Sequence, residues 1–278
     1  MAGRTCVVTG GTAGIGLVTA RRLAGQGARV IVVGRDPARG EAALATVRAA
    51  RPEADVAFVA ADLSSHGEVR RLAEAIGARL SRLDVLVNNA GAMYGSRRLN
   101  AEGVEMTFAL NHLGYFRLTA ALRPLLAAAS AARVVNVASR AHQGVRLRFD
   151  DLQHERRYHG WIAYKRSKLA NLLFTYELAR RLQGTRISAN ALHPGFVATD
   201  IGTANRFLAG VLWRAVSLAA IPPERGAETS VHLASAPEVE GISGHYFVAR
   251  RPARSSAASL DREAAARLWQ ISAELSDR

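Results

Sequence analysis

One junction constrains this chain more than any other. Thr9-Gly10-Gly11-Thr12-Ala13-Gly14-Ile15-Gly16 follows directly on a short apolar stretch, Thr5–Thr9, and a helical pattern begins inside it at Ile15. Glycines there let the backbone turn tightly and come against a pyrophosphate, while the free N–H groups and dipole of a helix start favour its charge. An ordinary tight turn would also use glycine. A strand before the loop and a helix after it favour the phosphate cradle, and no Gly-Lys-Ser/Thr follows, so a dinucleotide outranks a nucleoside triphosphate.

The rest of the chain alternates in the same manner. Apolar, β-branched stretches at 6–9, 30–33, 56–60, 85–88, 134–138, 187–192 and 244–248 read as strands buried on both faces. Helices fit the gaps: one from Ile15, one over 38–50, and one opened by Ser65-His66-Gly67-Glu68, which reads as a capping box. The expected architecture is α/β, a doubly wound Rossmann fold with a seven-stranded, mostly parallel sheet and helices on both faces. All 278 residues are expected to form one domain, with ligands at the carboxyl ends of the strands. With 49% hydrophobic residues the chain can build its core without metal or disulfides. The single cysteine, Cys6, and the absence of a signal peptide before the first strand point to a reducing cytoplasm. The longest apolar stretch, 207–221, is interrupted by Arg214 and is too short to span a membrane. A net charge of +14 is spread along the chain with no aromatic-interleaved basic run, which argues against nucleic acid and leaves room for an anionic cofactor.

The end of the second strand bears on which cofactor. A carboxylate there would bond the ribose 2′-hydroxyl and repel a 2′-phosphate. This chain has Gly34-Arg35, space and a fork of donors suited to a phosphate, so NADP(H) is expected. Asp36 reads as a turn residue before Pro37, although it could also point at the ribose. Further on, Tyr164 and Lys168 stand four apart, on one helical face. An ammonium there can help a phenol with an ordinary pKa of about 10 toward acid–base chemistry. The spacing alone also occurs on helices without chemistry. However, Lys165 and Lys168 are the only lysines among 37 basic residues, so Lys168 is not generic surface charge.

These motifs, with Asp62-Leu63, Asn88-Asn89-Ala90-Gly91, Asn111, Ser139 and His193-Pro194-Gly195 to Thr199, stand in an order that resembles the short-chain dehydrogenase/reductase family, nearly end to end. Within it the chain is similar to the retinol dehydrogenase-like branch, through Asn111-His112-Leu113-Gly114, Phe149-Asp150-Asp151-Leu152 and Ser167-Lys168-Leu169-Ala170-Asn171. No amino-terminal hydrophobic anchor like that of the branch's vertebrate membrane-bound members is expected. The resemblance implies a catalytic tetrad of Asn111, Ser139, Tyr164 and Lys168. Tyr164 would exchange a proton with the substrate oxygen, Ser139 would hydrogen-bond it, Lys168 would hold the nicotinamide ribose and lower the Tyr164 pKa, and Asn111 would anchor a water. Cofactor contacts would also come from Gly10, Thr12, Ala13, Gly14, Ile15, Gly16, Arg35, Leu63, Gly91, Pro194, Gly195 and Val197. Asp62 would meet the adenine, Asn88 and Ala90 would pass under the ribose, and Thr199 would meet the carboxamide. Asn89 is expected to join strands, and His112 and His193 are expected to be structural. No metal is expected, since the eight histidines lack ligand spacing.

Two segments should shape the substrate end, 140–162 and the amphipathic 200–223, with Met93, Tyr94, His142, Phe196, Phe207 and Trp213 as pocket candidates. They suggest a fairly large apolar carbonyl or alcohol. The first expectation is therefore an NADPH-dependent oxidoreductase, with a non-redox tailoring enzyme (cyclase- or epimerase-like) and an NADP(H) sensor as alternatives. The resemblance is compatible with a homodimer or homotetramer joined through the helices after Asn100 and around Tyr164, and, since some relatives of this branch are monomeric, with a monomer.

Overall fold

The computed structural model describes residues 1–196 and 221–277. The expected segment 200–223 therefore falls largely outside the described residues, and Val197, Thr199, Phe207 and Trp213 lie wholly outside them.

The strands are β1 (Thr5–Thr9), β2 (Arg29–Gly34), β3 (Val56–Ala60), β4 (Val85–Asn88), β5 (Ala132–Val137), β6 (Ile187–His193), β7 (Tyr246–Val248) and β8 (Arg251–Pro252). They form one sheet in the order β3-β2-β1-β4-β5-β6-β7-β8, parallel from β3 to β7. Alternation along each strand feeds two cores. Val7, Ile31, Val33, Leu86, Val134 and Ala189 face one side, and Val8, Val30, Val32, Val87, Val135 and Leu192 face the other.

The sheet has eight strands where seven were expected. The eighth, β8, is antiparallel and pairs only Phe247 with Pro252 and Val248 with Arg251. Two residues are too few to show a period of two, and the turn carries no glycine or asparagine. Ala249 and Arg250 adopt positive φ, 48° and 66°, the tight-hairpin geometry usually signalled by Asn-Gly. Pro252 suits the sheet edge, where its missing N–H is not needed.

The helices are α1 (Gly14–Gly25), α2 (Pro37–Ala50), α3 (His66–Gly77), α4 (Met106–Phe108), α5 (Gly114–Ala121), α6 (Arg123–Ala127), α7 (Gly160–Arg181), α8 (Pro223–Gly226), α9 (Glu228–Ser235) and α10 (Arg262–Glu274). Leu23 of α1, Leu44 and Val47 of α2 and Leu233 of α9 pack on one face of the sheet, and Leu72 and Ile76 of α3, Leu118 of α5 and Leu178 of α7 on the other. The capping box is half formed. Ser65 Oγ accepts the Glu68 N–H at 3.4 Å, but the Glu68 carboxylate turns to the Asp62 N–H at 2.6 Å. Between α4 and α5, Ala109–Leu113 is a π-helical turn, with the Gly114 N–H reaching the Ala109 carbonyl; such bulges recur at functional sites because they re-aim side chains.

The carboxyl-terminal helix covers α7. Leu268 packs with Leu169 and Leu173, and the Trp269 ring lies 5.0 Å from Phe116 and 5.9 Å from Phe174. Part of the α5–α7 surface expected to meet a second subunit is thus covered by the chain's own α10. Among the described residues no helix is long and apolar enough to cross a membrane.

Candidate active site

The topological switch lies between β1 and β4, where the connections depart in opposite directions and open a crevice at the strand ends. Thr9 and Asn89 pin its floor. The Asn89 and Ala90 N–H groups donate to Thr9 Oγ1 at 2.9 and 3.1 Å, and Asn89 Nδ2 donates to the carbonyls of Thr9 and Gly10. Asn88 serves the sheet as well: its side chain is fully buried and Nδ2 donates to Thr119 and Asn136.

Glycine is required where these segments cross. A Cβ on Gly10, which has φ 61°, would stand 2.8 Å from Ala90 Cα, and one on Gly16 would press on the Gly10 carbonyl. Helix α1 starts at Gly14 with no side-chain cap on its first N–H groups. They face the crevice as a ready set of donors. The cleft there measures about 290 Å³ and is lined by Gly10, Thr12, Ala13, Gly14, Leu63, Ala90 and Gly91 among the expected contacts.

At its far end the cleft is lined by Gly34, Arg35, Asp36 and Arg39. Asp36 is the N-cap of α2, and its Oδ1 accepts the N–H groups of Ala38 and Arg39 at 2.9 and 3.3 Å. This carboxylate is bonded to its own helix start. Arg39 was not anticipated; its signal is a cation in the first turn of α2, where the helix dipole disfavours one. Asp62 Oδ1 is held by the N–H and Oγ of Ser64.

Gly91 joins the cleft to the candidate catalytic residues Asn111 and Lys168. A Cβ on it would come within 3.2 Å of Asn111 Oδ1 and 3.4 Å of Lys168 Nζ. From the π-helical turn, Asn111 Oδ1 accepts the Ala92 N–H at 2.9 Å while Nδ2 donates to the Ala92 carbonyl and to Ser167 Oγ. Ser167 donates to the Tyr164 carbonyl at 2.7 Å, so the chain 92–111–167–164 ties the strand end to α7. Lys168 Nζ donates to the Val137 carbonyl at 3.0 Å and stands 5.7 Å from the Tyr164 ring centre. Ser139 lies two residues past the end of β5, and its Oγ accepts the Ala141 N–H at 3.1 Å. That bond uses a lone pair, and the Ser139 hydroxyl also acts on the Tyr164 phenol.

Burial dominates the electrostatics. It pushes the Tyr164 phenol up to about 12, with the Ser139 hydroxyl pulling the other way, and pushes the Lys168 ammonium down to about 8. A phenol held protonated in this way is suited to giving a proton. Trp161, absent from the expected set, stacks on Tyr164 at 5.7 Å and 17° while 49% exposed. It sits three residues before Tyr164 on the same helical face, which is the signal that could have found it.

The pocket candidates divide. Met93 is half-buried, Pro194 and Gly195 follow β6, and Phe196 is 53% exposed. Tyr94 is buried, and burial pushes its hydroxyl pKa up, with Arg35 pulling the other way. His142 is fully buried with both ring nitrogens bonded inside the protein, so it offers no polar atom to a substrate. His112 is buried among Phe108, Phe116 and Phe174 and bonds Ser272; burial drops its pKa to about 3, and that of His193 to about 4.

These histidines predict acid sensitivity. Their unfolded pKa is about 6.5 and their folded values are lower, so the unfolded chain takes up protons first as pH falls. Their contribution is complete above about 6.5 and is lost below it, so the urea midpoint should drop between pH about 7 and about 5. A midpoint constant over that range would contradict their neutral burial.

A glycine-lined cleft at a helix start, beside Ser139, Tyr164 and Lys168, is the arrangement on which the family assignment falls. The family model described as short chain dehydrogenase matches residues 4–207. The chain belongs to the short-chain dehydrogenase/reductase family. Its place there is the retinol dehydrogenase-like branch: it is 43% identical to retinol dehydrogenase 12 of Mus musculus over 98% of this chain and 86% of that protein, and 42% identical to retinol dehydrogenase 14 of Homo sapiens over the same shares. Among solved structures it resembles an uncharacterized protein from Mycobacterium paratuberculosis (TM-score 0.81, 37% identity, 99% of this chain and 94% of that one). It also resembles a point variant of actinorhodin polyketide ketoreductase with NADPH (TM-score 0.71, 28% identity, 89% and 97%).

Proposed function

We propose that the chain is an NADP(H)-dependent oxidoreductase that interconverts a carbonyl and an alcohol on a fairly large apolar substrate. The observation that carries this reading is Gly91, which lines the cofactor cleft and stands beside both Lys168 Nζ and Asn111. When bound, NADPH supplies the hydride that reduces the carbonyl carbon. Tyr164 then gives its phenolic proton to the carbonyl oxygen, and the Ser139 hydroxyl steadies the charge growing there. Lys168 keeps a positive charge close to the oxygen and to the ribose side of the cleft. In the reverse direction Tyr164 takes the proton back. Relatives that carry retinol, an apolar alcohol, in their names support the substrate class, as do the exposed rings of Trp161 and Phe196.

Preference for NADP(H) rests on Arg35 and Arg39 at the cleft end and on Asp36, whose carboxylate caps α2. Replacing Arg35 by alanine should raise KM for NADPH by on the order of tenfold or more while KM for NADH moves little, since a charge-assisted bond contributes about 1.5–3 kcal/mol. Initial rates with each cofactor check this, and equal changes would sink the preference.

A further inference from the structure

The loop that carries Ser139 is held from behind by one side chain. His142 is 0% exposed, and its Nδ1 lies 2.6 Å from the Ser139 carbonyl, which also accepts the His142 backbone N–H at 3.2 Å. On the other edge of the ring, Nε2 lies 3.1 Å from the backbone nitrogen of Ser256. A backbone N–H can only donate, so Nε2 must be a lone-pair acceptor and the ring proton must be on Nδ1. That is the tautomer the Ser139 carbonyl requires, so both partners specify one neutral form. The ring is further fixed edge-on to Tyr246 of β7, at 5.4 Å and 78°.

Ser256 belongs to a small hydroxyl cluster. Ser259 Oγ donates to the Ser256 carbonyl at 2.6 Å and lies 2.7 Å from Ser255 Oγ, which is 2.8 Å from the Tyr176 hydroxyl of α7. The helix that presents Tyr164 and the loop that presents Ser139 therefore share an anchor in the segment after β8.

We propose that His142 is a positioning residue for the reaction: its ring clamps the Ser139 backbone to Ser256, and so sets the distance at which Ser139 and Tyr164 meet the substrate oxygen. This rests on the proposed reaction and adds to it a residue that touches neither substrate nor cofactor. Displacing a catalytic group by a fraction of an ångström lowers turnover more than binding.

The test is a double-mutant cycle with the full chain, NADPH and a panel of apolar aldehydes and ketones. His142→Phe keeps the ring and loses both bonds; it should lower kcat on the order of 10- to 100-fold, with NADPH affinity by fluorescence and carbonyl KM changing less than about threefold. His142→Asn, whose amide nitrogen can stand at the Nδ1 position, should fall between Phe and the wild type. In a Ser139→Ala background His142→Phe should cost little more, because the group it positions is gone. Equal losses in both backgrounds, or wild-type kcat in His142→Phe, would overturn the role. Nitrogen NMR of the wild-type ring reads the wiring without any turnover, also should a variant not fold: a proton on Nδ1 is expected, and one on Nε2 overturns the clamp. A wild-type chain that reduces no carbonyl with NADPH overturns the reaction and the role together, whereas an active one with additive losses overturns the role of His142 alone.

Discussion

Replacing Tyr164 by phenylalanine should lower kcat for carbonyl reduction by on the order of 10²–10⁴-fold, the range for losing a positioned general acid, while leaving the protein folded. The phenol is buried beside Lys168, and burial holds it protonated with a pKa of about 12. Phenylalanine keeps the ring that stacks on Trp161 and takes away only the proton donor. Affinity for NADPH should therefore change little, and a thermal melt should stay within a few degrees of the wild type. Loss of turnover together with loss of folding would mean that the hydroxyl is structural. Retained turnover would remove Tyr164 from the chemistry.

The second large effect belongs to Gly16. A Cβ there presses on the Gly10 carbonyl and stands 2.6 Å from Asn89 Nδ2, the group that pins the loop between β1 and β4. The Gly10 backbone cannot swing away, and Asn89 Nδ2 is held by its bonds to the Thr9 and Gly10 carbonyls. Gly16→Ala should therefore open the cradle, destabilise the fold by about 1–3 kcal/mol and weaken NADPH binding by on the order of tenfold to a hundredfold. Gly25, at the end of the same helix, has nothing within 4 Å of its added Cβ. Gly25→Ala should leave binding unchanged and, if anything, stabilise α1 by a few tenths of a kcal/mol. Fluorescence titration of both variants with NADPH separates a local clash from a general effect of filling a glycine.

Much of this architecture was legible because its determinants are local. The strands β3 and β4 run over the same residues in sequence and structure, since short apolar stretches between polar turns have few other uses. Four of the groups assembled here, the glycine loop, Gly91, Ser139 and Tyr164-Lys168, stand at strand ends or on α7, where a doubly wound sheet converges its ligands. What escaped depended on packing and exposure more than on residue type. Trp161 matters through its stack on Tyr164 and its exposure, and neither is written in the residue itself. His142 read as a pocket residue because a histidine near a catalytic strand end so often is one. Its second partner, Ser256, is 114 positions away. The hairpin to β8 uses Ala249 and Arg250 at positive φ, so the usual turn residues gave no warning.

In the proposed reaction hydride passes between a nicotinamide cofactor and a carbonyl carbon, with Tyr164 as the acid. The most direct measurement is mass spectrometry of the product formed with NADPH deuterated at its transferable position. The expected result is an alcohol carrying the label at its carbinol carbon, with one cofactor oxidised for each molecule of product and formation on the order of 10²–10⁴-fold slower in Tyr164→Phe. Product formed without oxidation of NADPH, or without the label, would contradict hydride transfer and favour a non-redox use of the same acid.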